Sequence, residues 1–311
     1  MTRETLYTMN TAFRGEYSLY GYTYGRGEKA ACIVGAMRGH EYQQLYICSL
    51  LSRKLARLEE EGAIIQGKQI MVIPSLNYSA MNASHKYWLS DDSDINRQFP
   101  GNPSGPATSR IAYATLEVAS KYSYGIQFRS FYLQGQFIPH IKMMDSATEG
   151  INLANLFGMP YVLLSEGRPY EAITLANNWQ KAGTEVFSIY SGGTERIHEG
   201  YAETAVSAVL RFLSRMGIIK YNCQGGYIST VMEEEKMLSI RSSEAGFFKR
   251  YVGTNEEVTR GQKLAEIIDP MTGNTISEVL SPTSGITFFV HDKPLVFQNV
   301  VIYKIIRKLH K

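Results

Sequence analysis

Short apolar runs alternate with longer amphipathic segments between residues 30 and 216, and this alternation limits the chain to few folds. Residues 30–37 are almost entirely apolar, which is typical of a buried strand. Residues 42–61 follow with apolar side chains at helical spacing, and Gly62 closes the segment. Because similar pairs recur up to residue 216, the sequence predicts strands and helices that form an α/β sheet.

The pattern changes after Gly217. Residues 218–311 alternate apolar and polar side chains with a period of two, contain many turn residues and have almost no helical stretch. We therefore predict an α/β domain at residues 1–217 and an all-β domain at residues 218–311. Residues 258–267 and 281–286 resemble the half-motifs of barrel-sandwich carrier domains. No lysine lies near the expected hairpin tip, which argues against a carrier role.

The composition argues against several classes of protein. The net charge is +3 and no long basic block occurs, so we expect neither nucleic acid nor a membrane as partner. No apolar run reaches the roughly 20 residues that cross a bilayer, and the N-terminal residues lack a secretory pattern. Cys32, Cys48 and Cys223 form no Cys-x-x-Cys pair, so we expect reduced thiols and a cytoplasmic location.

Two polar turns carry the most specific motifs. The first is Met37-Arg38-Gly39-His40-Glu41, and the second, at residues 94–101, reads Asp-Ile-Asn-Arg-Gln-Phe-Pro-Gly. Together they resemble the succinylglutamate desuccinylase/aspartoacylase family, which are zinc amidohydrolases related to metallocarboxypeptidases. The resemblance implies a metallocarboxypeptidase-like α/β domain, a mixed sheet with helices on both faces. A small barrel-sandwich-like β domain should follow it, in the order predicted above.

The zinc ligands that this resemblance implies are altered. The first family motif is Gly-x-x-His-Gly-x-Glu; here Arg38 stands at the histidine position, while Glu41 remains. The third ligand, a histidine from a later strand, aligns with Arg129, and the general-base glutamate aligns with Tyr190. Zinc hydrolysis needs three protein ligands and an open position for water. The sequence therefore predicts that zinc is lost and that no cofactor is bound.

The substrate-binding half of the motif set is retained. Asn96 and Arg97 match the dyad that grips a substrate carboxylate in the family, and a planar guanidinium suits that task. A further family arginine before the dyad is absent, and Lys86 or Tyr87 stands in its place.

A buried carboxylate without its metal needs a compensating cation. We therefore expect Arg38 and Arg129 to pair with Glu41 and to leave, with Arg97, a cationic pocket. Its expected ligand is a small carboxylate or an acyl-amino-acid-like anion.

Several functions stay open at this stage. The chain binds a small anion, or it supports an active paralogous subunit within a homo-oligomer or hetero-oligomer, or its arginines only hold the fold together. The alternative is a zinc-dependent deacylase of N-acyl amino acids with displaced ligands. Its ligands and base would come from His40, His85, Asp91, Asp92, His140, His198, Glu166, Glu185 and Glu195.

Overall fold

The computed structural model describes residues 1–11, 15–144, 148–165, 169–223 and 225–308. The chain forms two compact units. Unit 1 comprises Met1–Ser130 and Pro139–Val231, and unit 2 comprises Phe131–Ile138 and Met232–Lys311.

Unit 1 is built on a mixed sheet. The first ten strands of the described ranges are β1 (Thr2–Asn10), β2 (Glu16–Gly25), β3 (Gly27–Ala36), β4 (Gly67–Ser75), β5 (Tyr124–Phe128), β6 (Gly135–Phe137), β7 (His140–Met144), β8 (Tyr161–Ser165), β9 (Glu185–Tyr190) and β10 (Thr230–Glu233). All except β6 form one sheet in the order β1-β2-β4-β3-β5-β9-β7-β8-β10. Strands β4, β3, β5 and β9 are parallel, whereas β2 and β7 run antiparallel to β4 and β9.

Helices cover both faces of this sheet. In the described ranges they are α1 (Tyr42–Glu60), α2 (Tyr78–Met81), α3 (Ala107–Ala119), α4 (Thr148–Asn155), α5 (Leu175–Lys181) and α6 (Glu199–Arg215). One apolar core contains buried side chains of α1 and α6, and the other contains those of α3 and α5. This confirms the predicted mixed sheet flanked by helices. None of the described helices combines the length and apolar character that a membrane span requires.

The alternation of β5 explains how the two faces differ. Ile126 and Phe128 belong to the core that includes α1 and α6, whereas Gly125 meets the ring of Trp179 on the opposite face. A Cβ at Gly125 would lie 2.8 Å from two ring carbons of Trp179, so only glycine allows α5 to pack this closely. The sheet face that α5 covers carries the candidate functional site described below.

Unit 2 consists of antiparallel sheets. Its strands are β6, β11 (Leu238–Arg241), β12 (Gly246–Arg250), β13 (Glu257–Val258), β14 (Lys263–Ile268), β15 (Thr275–Leu280), β16 (Gly285–His291), β17 (Leu295–Val296) and β18 (Val301–Arg307). One sheet has the order β11-β18-β16-β13 with β6 added on β16, and the other has the order β15-β14-β12-β17. The core includes Tyr303, whose hydroxyl lies 3.0 Å from the carbonyl oxygen of Val252 and 2.9 Å from that of Leu264. The β architecture expected for this part of the chain is confirmed.

The two units divide at a different place from the expected boundary at residue 217. Residues 218–231 stay with unit 1 because backbone hydrogen bonds attach them to it, from Lys220 N to Ala63 O at 2.7 Å and from Thr230 N to Pro160 O at 2.9 Å. Residues 131–138 belong instead to unit 2, where β6 pairs with β16. Composition marks where helical periodicity ends, but it does not tell which sheet the following segment joins.

Candidate functional site

The turn between β3 and α1 holds Glu41 in the interior. Glu41 is 2 % exposed, and its Oε2 accepts the backbone N–H of Met37 at 2.7 Å and that of Arg38 at 3.1 Å. Gly39 is required in this turn because a Cβ there would lie 2.3 Å from the carbonyl oxygen of His85. The turn therefore folds back onto its own glutamate and fixes the carboxylate beyond the end of β3.

Arg38 bridges Glu41 and Asp94. Its Nη1 donates to Glu41 Oε1 at 3.2 Å, its Nη2 donates to Asp94 Oδ2 at 2.8 Å, and its Nε donates to Asp94 Oδ1 at 3.1 Å. Burial alone would lower the pKa of this guanidinium, but the two carboxylates outweigh burial and raise the pKa above its ordinary value. Arg38 is therefore held as a cation between two carboxylates, and the sequence analysis had missed Asp94.

Ser130 is the second side chain that donates to Glu41. Its hydroxyl donates to Glu41 Oε1 at 2.6 Å and accepts Nη1 of Arg38 at 3.1 Å. A carboxylate offers about four lone-pair positions on its two oxygens. Here four donors use them: two backbone N–H groups, one guanidinium and one hydroxyl. The hydrogen-bonding capacity of Glu41 is filled.

These contacts bear on the zinc ion that the family resemblance implies. Coordination by Glu41 would require a lone pair that a proton donor now occupies, and neither Arg38 nor Ser130 is a ligand that protein zinc sites use. Across the described ranges, no three histidine, cysteine, aspartate or glutamate side chains are grouped closely enough to hold a metal ion. The described residues around Glu41 therefore do not fit the ligand set of a zinc site.

Arg129 does not pair with Glu41, contrary to the expectation from the sequence. Successive residues of an extended chain point to opposite sides, and the position next to Glu41 is taken by Ser130. The guanidinium of Arg129 lies 5.7 Å from the ring centroid of Tyr190, whose ring stacks on that of His140 at 5.0 Å. Arg129 is half-buried and forms no ion pair with a described residue. A role of Tyr190 at the general-base position stays a prediction.

The Asn96–Arg97 dyad lies on a short turn that Asp94 caps. Asp94 Oδ1 accepts the N–H of Asn96 at 3.1 Å, and the buried Asn96 accepts the N–H of Leu175 through Oδ1 at 3.3 Å. Arg97 Nη1 donates to the carbonyl of Tyr170 at 2.7 Å, and its guanidinium lies 5.1 Å from the Tyr170 ring centroid. Asn96 thus holds the start of α5, and Arg97 is half-buried beside an aromatic ring.

Lys86 and Tyr87 pair with each other. The ammonium of the exposed Lys86 lies 4.9 Å from the ring centroid of Tyr87. The Lys86 carbonyl accepts the N–H of Gly39 at 3.2 Å, and the Tyr87 carbonyl accepts the amide of Asn77 at 3.1 Å. Lys86 therefore supports the turn that contains Arg38 through its backbone, whereas the backbone of Tyr87 contacts the segment after β4. Their expected role in binding a carboxylate stays a prediction.

The side chains considered as displaced metal ligands are scattered. His85 lies 3.4 Å from Asp92 in a partly exposed pair, and His198 precedes α6. Glu166 lies outside the described residues. His40 is adjacent to Glu41 in sequence, and its Nδ1 is buried without a partner in the described ranges. Burial lowers the pKa of His40 in spite of the neighbouring Glu41, which keeps this imidazole neutral over a wider pH range.

A small cavity of about 20 Å³ lies under α5, on the same face as Arg129. We call it the Lys142 cavity; besides Arg129 and Lys142, its lining includes Ser165, Glu171, Asn177 and Ser188. Lys142 Nζ lies 3.4 Å from Glu171 Oε1, and the Ser165 hydroxyl donates to Glu171 Oε2 at 3.3 Å. The sequence analysis missed these residues. A lysine between apolar residues in a short buried strand was the signal that could have identified the first of them.

Comparisons with known proteins support the resemblance. Residues 28–129 match the model of the succinylglutamate desuccinylase/aspartoacylase catalytic domain. This segment contains both polar turns and ends at Arg129. A curated relative, N-alpha-acetyl-L-2,4-diaminobutyric acid deacetylase of Halomonas elongata, is 25 % identical over 263 residues, which cover 82 % of this chain and 75 % of the relative.

Solved structures share the fold at low sequence identity. A succinylglutamate desuccinylase/aspartoacylase from Rhodobacter sphaeroides gives a TM-score of 0.80 at 19 % identity, covering 99 % of this chain and 96 % of that one. A succinylglutamate desuccinylase from a Silicibacter species gives 0.81 at 20 % identity, covering 96 % and 91 %. The chain is therefore similar to proteins of the succinylglutamate desuccinylase/aspartoacylase family, in sequence over the matched catalytic segment and in fold over nearly its whole length.

Proposed function

We propose that this chain is a non-hydrolytic member of its family that binds a small carboxylate. The observation that carries the proposal is the set of four donors that fills the oxygens of Glu41. In a zinc hydrolase, a metal with an open position would ionise a water molecule. A guanidinium stays protonated and offers no coordination position. Arg38 therefore supplies positive charge beside Glu41 without a means of generating hydroxide.

The hydrogen bond between Ser130 and Glu41 does not provide a nucleophile in place of the metal. Arg38 donates to the oxygen of Ser130, which reduces its nucleophilicity, and the same guanidinium stabilises Glu41 as an anion. Stabilisation of the Glu41 anion opposes transfer of the hydroxyl proton to the carboxylate, and the hydrogen bond from Arg38 occupies a lone pair of Ser130 that a nucleophilic attack would need. We infer that this cluster is a structural tie between the first polar turn, the second polar turn and the end of β5.

Arg129 is the group we assign to the ligand. Its guanidinium is half-buried, has no ion pair within the described ranges and lines the Lys142 cavity. A planar guanidinium binds a carboxylate through two parallel hydrogen bonds, and the interaction strengthens where water is partly excluded. These properties support a carboxylate contact at Arg129, with Arg97 as a further cation on the second polar turn.

A zinc-dependent deacetylase is the competing function, and the Halomonas elongata relative is the observation that favours it. The two functions differ in metal content and in turnover. Protein purified without chelators should contain zinc well below one equivalent, and it should not release acetate from N-alpha-acetyl-L-2,4-diaminobutyrate even with added zinc. Stoichiometric zinc that disappears in Glu41→Gln, together with acetate release, would overturn the proposal.

Ligand binding can be tested by thermal unfolding in millimolar acetate. Acetate should raise the unfolding temperature of the wild type because it binds only the folded state, and this rise should vanish in Arg129→Gln. Arg110→Gln is a matched control, since Arg110 is also half-buried and its guanidinium also lies 5.7 Å from a tyrosine ring, that of Tyr7. If both variants respond to acetate as the wild type does, Arg129 is not the anchor.

A further inference from the structure

The Lys142 cavity lies on a strip of polar side chains on the sheet face under α5. Lys142 is paired with Ser188 in the register of β7 and β9, and Met144 is paired with Ser165 in that of β7 and β8. Both Lys142 and Ser188 are more than nine-tenths buried. A buried strip of this kind beside a cavity offers hydrogen-bonding groups to a polar molecule.

Asn177 provides a buried acceptor in this cavity. The residue is 8 % exposed and belongs to α5, which covers the strip. Its Nδ2 lies 3.1 Å from the sulfur of Met144, whereas its Oδ1 is buried and accepts no hydrogen bond from any described residue. An amide oxygen in this environment favours a ligand that carries an O–H or N–H donor.

The charge of the cavity favours an anion. Arg129 and Lys142 both line the cavity, and Lys142 Nζ lies 3.4 Å from Glu171 Oε1, so the described lining contains two cations and one carboxylate. A ligand carboxylate at Arg129 is attracted by these cations, whereas a ligand ammonium beside them would be repelled. The ligand should therefore be a carboxylate whose donor group is a neutral hydroxyl and not an ammonium.

The volume of the Lys142 cavity limits the size of the ligand group that can enter it. About 20 Å³ is close to the space for one water-sized group. An acyl chain does not fit, but a single hydroxyl does.

We propose that the Lys142 cavity recognises a small hydroxycarboxylate, which places its carboxylate on Arg129 and donates its hydroxyl to Asn177 Oδ1. This inference rests on the proposed function, in that both use Arg129 as the anchor for the carboxylate. It adds the class of ligand and a second recognition residue. It also separates this site from the hydrolysis of acylated amino acids, because the cavity excludes the acyl group.

Calorimetric titration of the full chain with glycolate, acetate and glycine tests the inference. Glycolate and acetate share a carboxylate, but only glycolate has a hydroxyl. One added neutral hydrogen bond corresponds to about fivefold tighter binding, so glycolate should bind about fivefold more tightly than acetate. Glycine should bind more weakly than either. In Asn177→Leu, which keeps a similar volume, the preference for glycolate over acetate should disappear.

Asn155→Leu is the control, because Asn155 Oδ1 also accepts no hydrogen bond from a described residue but does not line the cavity. This variant should keep the preference for glycolate. Equal binding of glycolate and acetate to the wild type, abolished by Arg129→Gln, would overturn the inference and leave the proposed function standing. Tightest binding of glycine would overturn the charge argument. Absence of binding by all three ligands would overturn both proposals. These comparisons use the wild-type protein, so they test the inference even if Asn177→Leu fails to fold.

Discussion

Replacing Arg38 with methionine should destabilise unit 1 by about 3 kcal/mol. The variant removes one hydrogen bond to Glu41 and three to Asp94. Removing one partner of a buried ion pair costs about 3–5 kcal/mol because the other charge stays buried. The lower value applies here, since the Asp94 side chain is 16 % exposed and can be rehydrated. For a domain of this size the loss corresponds to a fall in unfolding temperature of about 6–12 °C.

A double variant separates the charge of Glu41 from the loss of packing. Arg38→Met leaves the Glu41 carboxylate buried without its guanidinium partner. Adding Glu41→Gln to the variant removes that buried charge and should therefore recover part of the lost stability.

Differential scanning calorimetry of the single and double variants at neutral pH measures these effects. Arg57→Met is the matched control because it breaks the Arg57–Glu61 pair on α1, where both side chains are at least half exposed. Such exposed helical pairs contribute little to stability because solvent screens them. If Arg38→Met lowers the unfolding temperature no more than Arg57→Met, the cluster around Glu41 is not the buried tie that we describe.

Three further predictions concern single contacts. Ser130→Ala should destabilise the fold by about 1.5–3 kcal/mol at neutral pH, because Glu41 loses a charge-assisted donor, and urea unfolding would measure this. Gly125→Ala should lower stability by about 1–3 kcal/mol through overpacking against Trp179, whereas an unchanged urea midpoint would mean that α5 can shift freely. Burial lowers the pKa of His291, so its imidazole contributes stability that is present above pH 6.5 and is lost as pH falls; His291→Gln should flatten that decline in calorimetric scans.

Local patterns were sufficient to predict the sheet and its main helices. The run before Arg38 is apolar on both faces because β3 lies between β4 and β5, and α1 carries apolar residues at helical spacing because it packs on that sheet. Such patterns did not predict which sheet residues 131–138 would join. Their pairing with β16 joins segments about 150 residues apart, and period-two alternation does not encode the partner strand.

The sequence predicted several residues of the candidate site but not which of them contact one another. The need of Glu41 for a cation follows from burial and charge, and Arg38 meets it. Whether Arg129 or Ser130 contacts Glu41 depends on the side of the extended segment to which each residue points. A shift of one residue in this alternation exchanges the two positions. The ion pair between Asp94 and Arg38 was not predicted because Asp94 caps a short turn that approaches Arg38 only in the folded chain.

The division of the chain between the units has a consequence for fragments. The polypeptide passes between the units at three joins: after Ser130, after Ile138 and after Val231. A truncation after Val231 would leave β6 without β16 and would expose the rings of Phe131 and Phe137, which are 8 % and 1 % exposed in the intact protein. We expect such a fragment to aggregate unless a short polar linker replaces residues 131–138. A single proteolytic cut at any one join divides the linear chain into two polypeptides, and each cut splits at least one unit into pieces that only non-covalent contacts hold together, such as the pairing of β6 with β16 after a cut at Val231.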